Sequence, residues 1–264
     1  MTAAVLKQRR WVTDGAMATY LFSKGASHPV EELNLTSPAL VADVHREYLN
    51  AGAQILRTNT FGGSLEAKPA GVRIAREIAD GRALVAGVIG SMGGNGTPEL
   101  FLAQARALQG VDLFILETFR DLAELHAAVE GVRDAAGADI AVVAQVSVEP
   151  NGCLHDGMPP EIYGAAMDVL AADVLGFNCS FGPESIWPAF ERMRAVTSKP
   201  LSASPNAGFQ TLFTPAYMAD YARRFLAAGA LLVGACCGST PEHIRHIRAV
   251  ADEHATLVSL WPPT

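Results

Sequence analysis

Leu231-Leu232-Val233-Gly234-Ala235-Cys236-Cys237-Gly238 decides how the rest of the chain is read. An apolar run ends in two adjacent cysteines set between glycines, the pattern of a buried strand that delivers two thiols to the mouth of a fold. Neighbouring cysteines rarely bridge each other, because their side chains diverge and the disulfide would be strained. They can converge on one metal ion if the backbone turns, and Gly234 and Gly238 permit such a turn. The same grammar occurs upstream in Val174-Leu175-Gly176-Phe177-Asn178-Cys179-Ser180, an apolar strand closed by a cysteine. Thiolates from Cys179, Cys236 and Cys237 on Zn2+ would leave a fourth position open, the mark of a catalytic rather than a structural site.

Outward from these two stretches the chain alternates between apolar strands and helical periodicity. Strands are expected at 11–13, 54–58, 84–89, 111–116, 140–147, 174–177, 201–204 and 231–235. Helices are expected from Pro38 with Ser37 as N-cap, over 72–78, 98–108, 122–135, 162–170, 183–196 and 215–228, and from Pro241 with Thr240 as N-cap. Eight such units with no linker between them predict one domain over 1–264, an α/β fold of the (β/α)8 TIM-barrel type. The chemistry of such a barrel sits at the C-terminal ends of its strands. Asp14, Glu117, Cys179, Asn206, Cys236 and Cys237 all fall there.

These rim positions differ in what they imply. Asp14-Gly15 after the first strand is a turn, or a carboxylate placed to hold a substrate ammonium. Glu117 follows a continuous apolar run, so its carboxylate must be paired or hydrogen-bonded; it either anchors a loop or holds a cationic ligand group. The loop Gly90-Ser91-Met92-Gly93-Gly94-Asn95-Gly96 could cradle a phosphate through backbone N–H groups. It lacks the Lys-Ser/Thr of a P-loop and reads better as a flexible mouth loop. His45 sits on the apolar stripe of its helix and reads as a packed histidine, Tyr217, Tyr221 and Phe225 as a core stripe, and Cys153 as a plain thiol.

Composition narrows the classes. The chain has 264 residues, half of them hydrophobic, enough for a sizeable core. A net charge of −7 without a basic stripe argues against a nucleic-acid surface. No apolar run reaches membrane-spanning length, and the polar, basic start at 1–10 does not read as a secretory signal. Four cysteines in a chain this long are no disulfide framework, so a reducing, cytoplasmic setting is expected. A cysteine-nucleophile hydrolase would need a histidine base, and the seven histidines lie mostly in helices or remote loops.

The chain resembles the homocysteine S-methyltransferases, the family that includes betaine–homocysteine methyltransferase and the homocysteine-binding barrel of cobalamin-dependent methionine synthase. The resemblance is carried by Asp14-Gly15-Ala16-Met17, Asn34-Leu35-Thr36, His45-Arg46-Glu47-Tyr48, Thr58-Asn59-Thr60-Phe61, Glu117-Thr118-Phe119, Gly176-Phe177-Asn178-Cys179-Ser180, Pro205-Asn206-Ala207-Gly208 and Cys236-Cys237-Gly238-Ser239-Thr240-Pro241-Glu242-His243-Ile244. It implies that Cys179, Cys236 and Cys237 are zinc ligands, that homocysteine is the acceptor, and that Asp14 and Glu117 hold its amino group. Asn206 is taken with them as a substrate-binding position. Asn34-Leu35-Thr36 and Pro205-Asn206-Ala207-Gly208 look closest to the methionine synthase branch.

Two segments depart from the family pattern. Only Gly62 to Gly71 stands where a longer helical insertion is usual, and Ser91, Met92 and Gly93 replace a Gly-Pro-Thr-Gly loop. A shorter rim leaves a zinc-bound sulfur open to a large donor, so a methylcorrinoid, free or on a corrinoid-binding protein, is the expected methyl source. S-Methylmethionine or a betaine-type donor is the alternative, as is a catalytically impaired zinc- and thiol-binding module.

Overall fold

The computed structural model describes residues 1–208 and 212–260. Eight strands, β1 (Trp11–Val12), β2 (Ile55–Arg57), β3 (Leu84–Gly90), β4 (Leu113–Phe119), β5 (Ala141–Val146), β6 (Val174–Cys179), β7 (Leu201–Pro205) and β8 (Ala230–Val233), pair in parallel in the order β1-β8-β7-β6-β5-β4-β3-β2. The ring closes between β1 and β2. Thr13 bridges Ile55 in parallel, the Asp14 amide donates to the Ile55 carbonyl at 3.1 Å, and the Gln54 amide donates to the Val12 carbonyl at 2.8 Å. The expected (β/α)8 TIM barrel is therefore the observed one.

The strands read as unbroken apolar runs because both of their faces are buried. Along β4, Leu113 and Ile115 join a cluster with Ile55, Ala86, Ala141, Val143 and Val174 that fills the barrel. Phe114 and Leu116 join the larger cluster under the helices. That alternation is the two-residue period of a strand. Leu6 and Trp11 belong to the inner cluster, and the Trp11 indole donates to the Leu6 carbonyl at 2.8 Å.

Several elements differ from expectation. The helix after β2 spans Ala67–Ala79 and so begins five residues earlier than its periodicity suggested. Pro69 falls in the first turn, where its missing N–H costs nothing. Gly71 packs so tightly that a Cβ there would meet Asn34 Nδ2 at 2.7 Å and Thr60 Cγ2 at 2.8 Å. β4 runs on through Glu117 to Phe119, which places Glu117 inside the strand. Ser37 makes no side-chain cap bond, although the helix Pro38–Asn50 does start beside it. Short helices at Ala18–Ser23 and Leu33–Thr36 fill the β1–β2 connection. Tyr217 and Tyr221 are only half-buried, and Met218, Ala222 and Phe225 carry the inward face of Pro215–Ala227. Among the described residues no helix is long and apolar enough to cross a membrane.

Candidate metal centre and substrate cavity

The three rim thiols converge. Cys179 Sγ lies 2.8 Å from Cys236 Sγ and 3.9 Å from Cys237 Sγ, and all three sulfurs lie within 4.8 Å of one another. Among the described residues they are the one group of His, Cys, Asp and Glu side chains close enough to share a metal ion. The edge of a tetrahedron with Zn–S bonds of about 2.3 Å is about 3.8 Å, so the observed separations bracket what a thiolate-bound zinc requires. Hydrogen bonds from Cys179 and then Cys236 pull the Cys237 thiol well below its ordinary range. Hydrogen bonding to Cys236 and Cys237 pushes Cys179 well above it. Against the lowering hydrogen bond from Cys179, that from Cys237 together with burial pushes Cys236 up to about 11, so only one of the three thiols is favoured as a thiolate.

Backbone geometry produces the convergence. Cys179 and Ser180 both have positive φ, +54° and +63°, an uncommon conformation for non-glycine residues. It turns the chain sharply off the end of β6. The segment after β7 ties the two cysteine turns together. Asn206 N donates to Cys179 O at 3.0 Å, Cys236 N to Pro205 O at 2.8 Å, and Ala207 N to Cys237 O at 2.8 Å. Gly238 has φ +80°, and a Cβ there would meet the Gly208 carbonyl oxygen at 2.1 Å, so this turn needs glycine. The Asn206 side chain is 1 % exposed and its Nδ2 donates to Ser180 O at 2.5 Å. The structure thus places Asn206 behind the thiols and not among the residues lining the cavity.

Asp14 and Glu117 come together through a residue the sequence reading passed over. Arg57, the last residue of β2, donates from Nε to Asp14 Oδ1 at 2.6 Å and from Nη1 to Glu117 Oε1 at 2.7 Å. Its Nη2 donates to the carbonyls of Asp14, Gly15 and Ala235 at 3.0, 2.7 and 2.8 Å. Its backbone amide donates to Asp14 Oδ2 at 2.9 Å. Burial raises the Asp14 carboxyl to about 6, against the lowering effect of Arg57. Burial likewise raises Glu117. Burial lowers the guanidinium, but the Glu117 and Asp14 carboxylates outweigh it and hold Arg57 well above its usual range. Two carboxylates facing one guanidinium leave one negative charge over.

The thiols, Arg57 and Glu117 share one cavity of about 340 Å³. Its wall includes Gly15, Met17, Arg57, Thr60, Phe61, Glu117 and the three cysteines. Asp14 is 1 % exposed and lies behind Arg57. The glycine-rich loop after β3 is fastened from within the protein. Glu124 already takes its donors: Ser91 Oγ at 2.5 Å, Met92 N at 2.9 Å and Gly96 N at 3.1 Å. His45 is fully buried with neither ring nitrogen hydrogen-bonded, and burial pushes it down to about 4. Cys153 stands apart from the thiol cluster.

The C-terminal mouth of this parallel barrel thus brings three thiols close to a buried charged triad. The profile of the family described as homocysteine S-methyltransferase matches residues 11–251, and the chain belongs to that family. It is 33 % identical to the methionine synthases of Mycobacterium leprae and Mycobacterium tuberculosis, over 92 % and 93 % of its own length. It spans only about a quarter of those relatives, 24 % and 25 %. The M. leprae alignment covers 294 positions, more than the 264 residues here, so that relative carries insertions against this chain. Among solved structures, the apo form of the homocysteine methyltransferase MmuM from Escherichia coli superposes with a TM-score of 0.78 at 28 % identity, covering 94 % of this chain and 98 % of that one. Its metallated form gives a TM-score of 0.79 at 26 % identity.

Proposed function

We propose that the protein transfers a methyl group to the thiol of homocysteine, with zinc held by Cys179, Cys236 and Cys237 and a methylcorrinoid as donor. The observation that carries this reading is the meeting in one cavity of three sulfurs with Arg57 and Glu117, which together with the buried Asp14 form a triad of net charge −1. Zinc on those thiolates would stabilise the thiolate of a bound substrate near neutral pH, where a free thiol with a pKa of about 8.5 is mostly protonated. The residues of the chain do the rest. Glu117 lines the cavity and meets the substrate ammonium, while Asp14 fixes Arg57 behind it. One residual negative charge matches one ammonium. The frame of strand ends fixes the sulfur for in-line attack, which supplies the proximity contribution to the rate.

Exposed apolar side chains that follow the strand ends support the choice of a large donor. Phe61, Leu65, Met92, Phe181 and Leu212 follow β2, β3, β6 and β7, and each is at least 38 % exposed. Small onium donors are held by cages of aromatic rings. Phe61 supplies the one Phe, Tyr or Trp ring lining this cavity among the described residues. An open, apolar lip suits the broad face of a corrinoid.

Two measurements test the proposal. Metal analysis should find one zinc per chain in the wild type and in Cys153→Ala, and a large loss in Cys236→Ala. Methionine formation from homocysteine should be faster with methylcobalamin than with S-methylmethionine or betaine. Full zinc in Cys236→Ala would overturn the ligand assignment. Turnover with S-methylmethionine and none with methylcobalamin would overturn the donor.

A further inference from the structure

The proposed function leaves unexplained a strained residue beside the thiols. Thr118 has φ +65°. For a β-branched side chain this is an outlier, and it persists only where the surroundings enforce it. The enforcing residue is Asn178, which is fully buried and directly precedes Cys179. Thr118 N donates to Asn178 Oδ1 at 2.8 Å, and Asn178 Nδ2 lies 2.9 Å from Thr118 Oγ1.

This pairing has only one polarity. A backbone N–H can only donate, so the Asn178 atom facing Thr118 N must be the carbonyl oxygen. The other amide atom is then the nitrogen, and it donates to the Thr118 hydroxyl oxygen. The hydroxyl must therefore send its own proton elsewhere. Its remaining neighbour is Cys179 Sγ, at 3.7 Å. Asn178 Nδ2 also lies 3.9 Å from Cys236 Sγ. One buried amide thus serves two of the three sulfurs, directly for Cys236 and through Thr118 for Cys179.

We propose that Thr118 and Asn178 are positioning residues that deliver hydrogen-bond donors to the Cys179 and Cys236 sulfurs, offset their charge and raise the affinity of the cluster for a metal ion. This rests on the zinc reading above. Three thiolates exceed the charge of one divalent ion by one, and a substrate thiolate adds another. Donors to sulfur disperse that excess. Outer residues that hydrogen-bond to metal ligands typically account for 10–100-fold in affinity.

The test compares hydroxyl with methyl at one position. Thr118→Val keeps the branched shape and the backbone demand but cannot donate; Thr118→Ser keeps the donor. Zinc affinity is measured by competition with a chromophoric chelator, and the sulfur-to-metal charge-transfer band is recorded on the Co2+-substituted protein. Thr118→Val should bind zinc at least 10-fold more weakly and shift the Co2+ band, while Thr118→Ser stays near wild type on both. Should Thr118→Val fail to fold by circular dichroism, Thr118→Ala, with less side chain to strain, decides by the same two readouts. Wild-type affinity and an unshifted band in the hydroxyl-less variant would overturn the inference. If the wild type itself binds no zinc, the zinc reading fails first, so the two failures are told apart.

Discussion

Replacing Arg57 by methionine should expose how the cavity floor is held. The side chain is similar in length, but the change removes five side-chain hydrogen bonds and leaves Asp14 and Glu117 without their shared cation. Both carboxylates are buried, 1 % and 6 % exposed. Breaking a buried ion pair by removing one partner costs about 3–5 kcal/mol, chiefly as the desolvation of the charge left behind. For a chain of this size that corresponds to a drop in Tm on the order of 10 °C. The loss should depend on pH in a defined direction. Without the guanidinium both carboxyl pKa values rise further, so acidification toward pH 5 lets the carboxyls take up protons and returns part of the stability. In the double variant Arg57→Met/Asp14→Asn the loss should be smaller than in Arg57→Met alone, because one stranded charge is gone. The assay is urea unfolding followed by circular dichroism at pH 7.5 and pH 5.5. A loss below about 1 kcal/mol, or one that does not shrink on acidification, would refute the argument that Arg57 neutralises the two carboxylates.

Glu117→Gln keeps the shape but removes the charge facing the cavity. It should weaken homocysteine binding in calorimetric titration tenfold or more, in the range of one charge-assisted hydrogen bond, while zinc content stays at the wild-type level; unchanged affinity would move the ammonium contact elsewhere. His45→Leu removes a buried imidazole whose folded pKa, about 4, lies below its ordinary 6.5. The unfolded chain takes up a proton that the native one refuses, so the contribution of His45 is complete above pH 6.5 and lost as pH falls toward 4, by about 3 kcal/mol. Asp14 runs the other way. Its folded pKa of about 6 means that stability rises as pH falls from about 6 to about 4. The His45→Leu variant should therefore gain stability relative to wild type on acidification from pH 6.5 to 4.5. Parallel acid profiles for the two proteins would rule this out.

The barrel was legible because a parallel sheet is buried on both faces, and each strand writes itself as an apolar run with a break at its end. The thiol cluster was legible for the same reason: Cys179 and Cys236-Cys237 close two such runs on one rim. Arg57 was missed because an arginine ending a strand looks like one reaching for water. The signal was present, since two carboxylates assigned to one rim require a nearby cation. The clamp by Glu124 was hidden because Glu124 is three residues after the N-cap Asp121, where a helix start alone accounts for a glutamate. Nothing local shows its carboxylate reaching Ser91 and Gly96, 28–33 residues away in the chain. Position at a strand end fixes a residue's height in the barrel and not the direction of its side chain, so the sequence did not show that Asn206 is buried with its Nδ2 on Ser180 O. The short helices over 18–36 are too brief to show a period.

Strands and loops divide the labour at this end of the barrel. Asp14, Arg57, Glu117, Cys179, Cys236 and Cys237 all lie within a strand or a few residues past its end. They are cross-tied through the backbone: Arg57 reaches the Ala235 carbonyl, one residue before Cys236, and Asn206 holds Cys179 from the next strand. The rim loops are fastened separately. Gly62 N and Ser64 N donate to Glu31 and Glu32, the buried Lys68 donates to the carbonyls of Thr60 and Gly62 at 2.7 and 2.8 Å, and Glu124 holds the loop after β3. None of these fasteners is a thiol or a member of the charged triad. Loop length over β2 and β3 can therefore change without moving the groups assigned to the acceptor. On the proposed reading, the loops over β2 and β3 are the side the methyl donor approaches, and the side built on strand ends is the one that holds the sulfur.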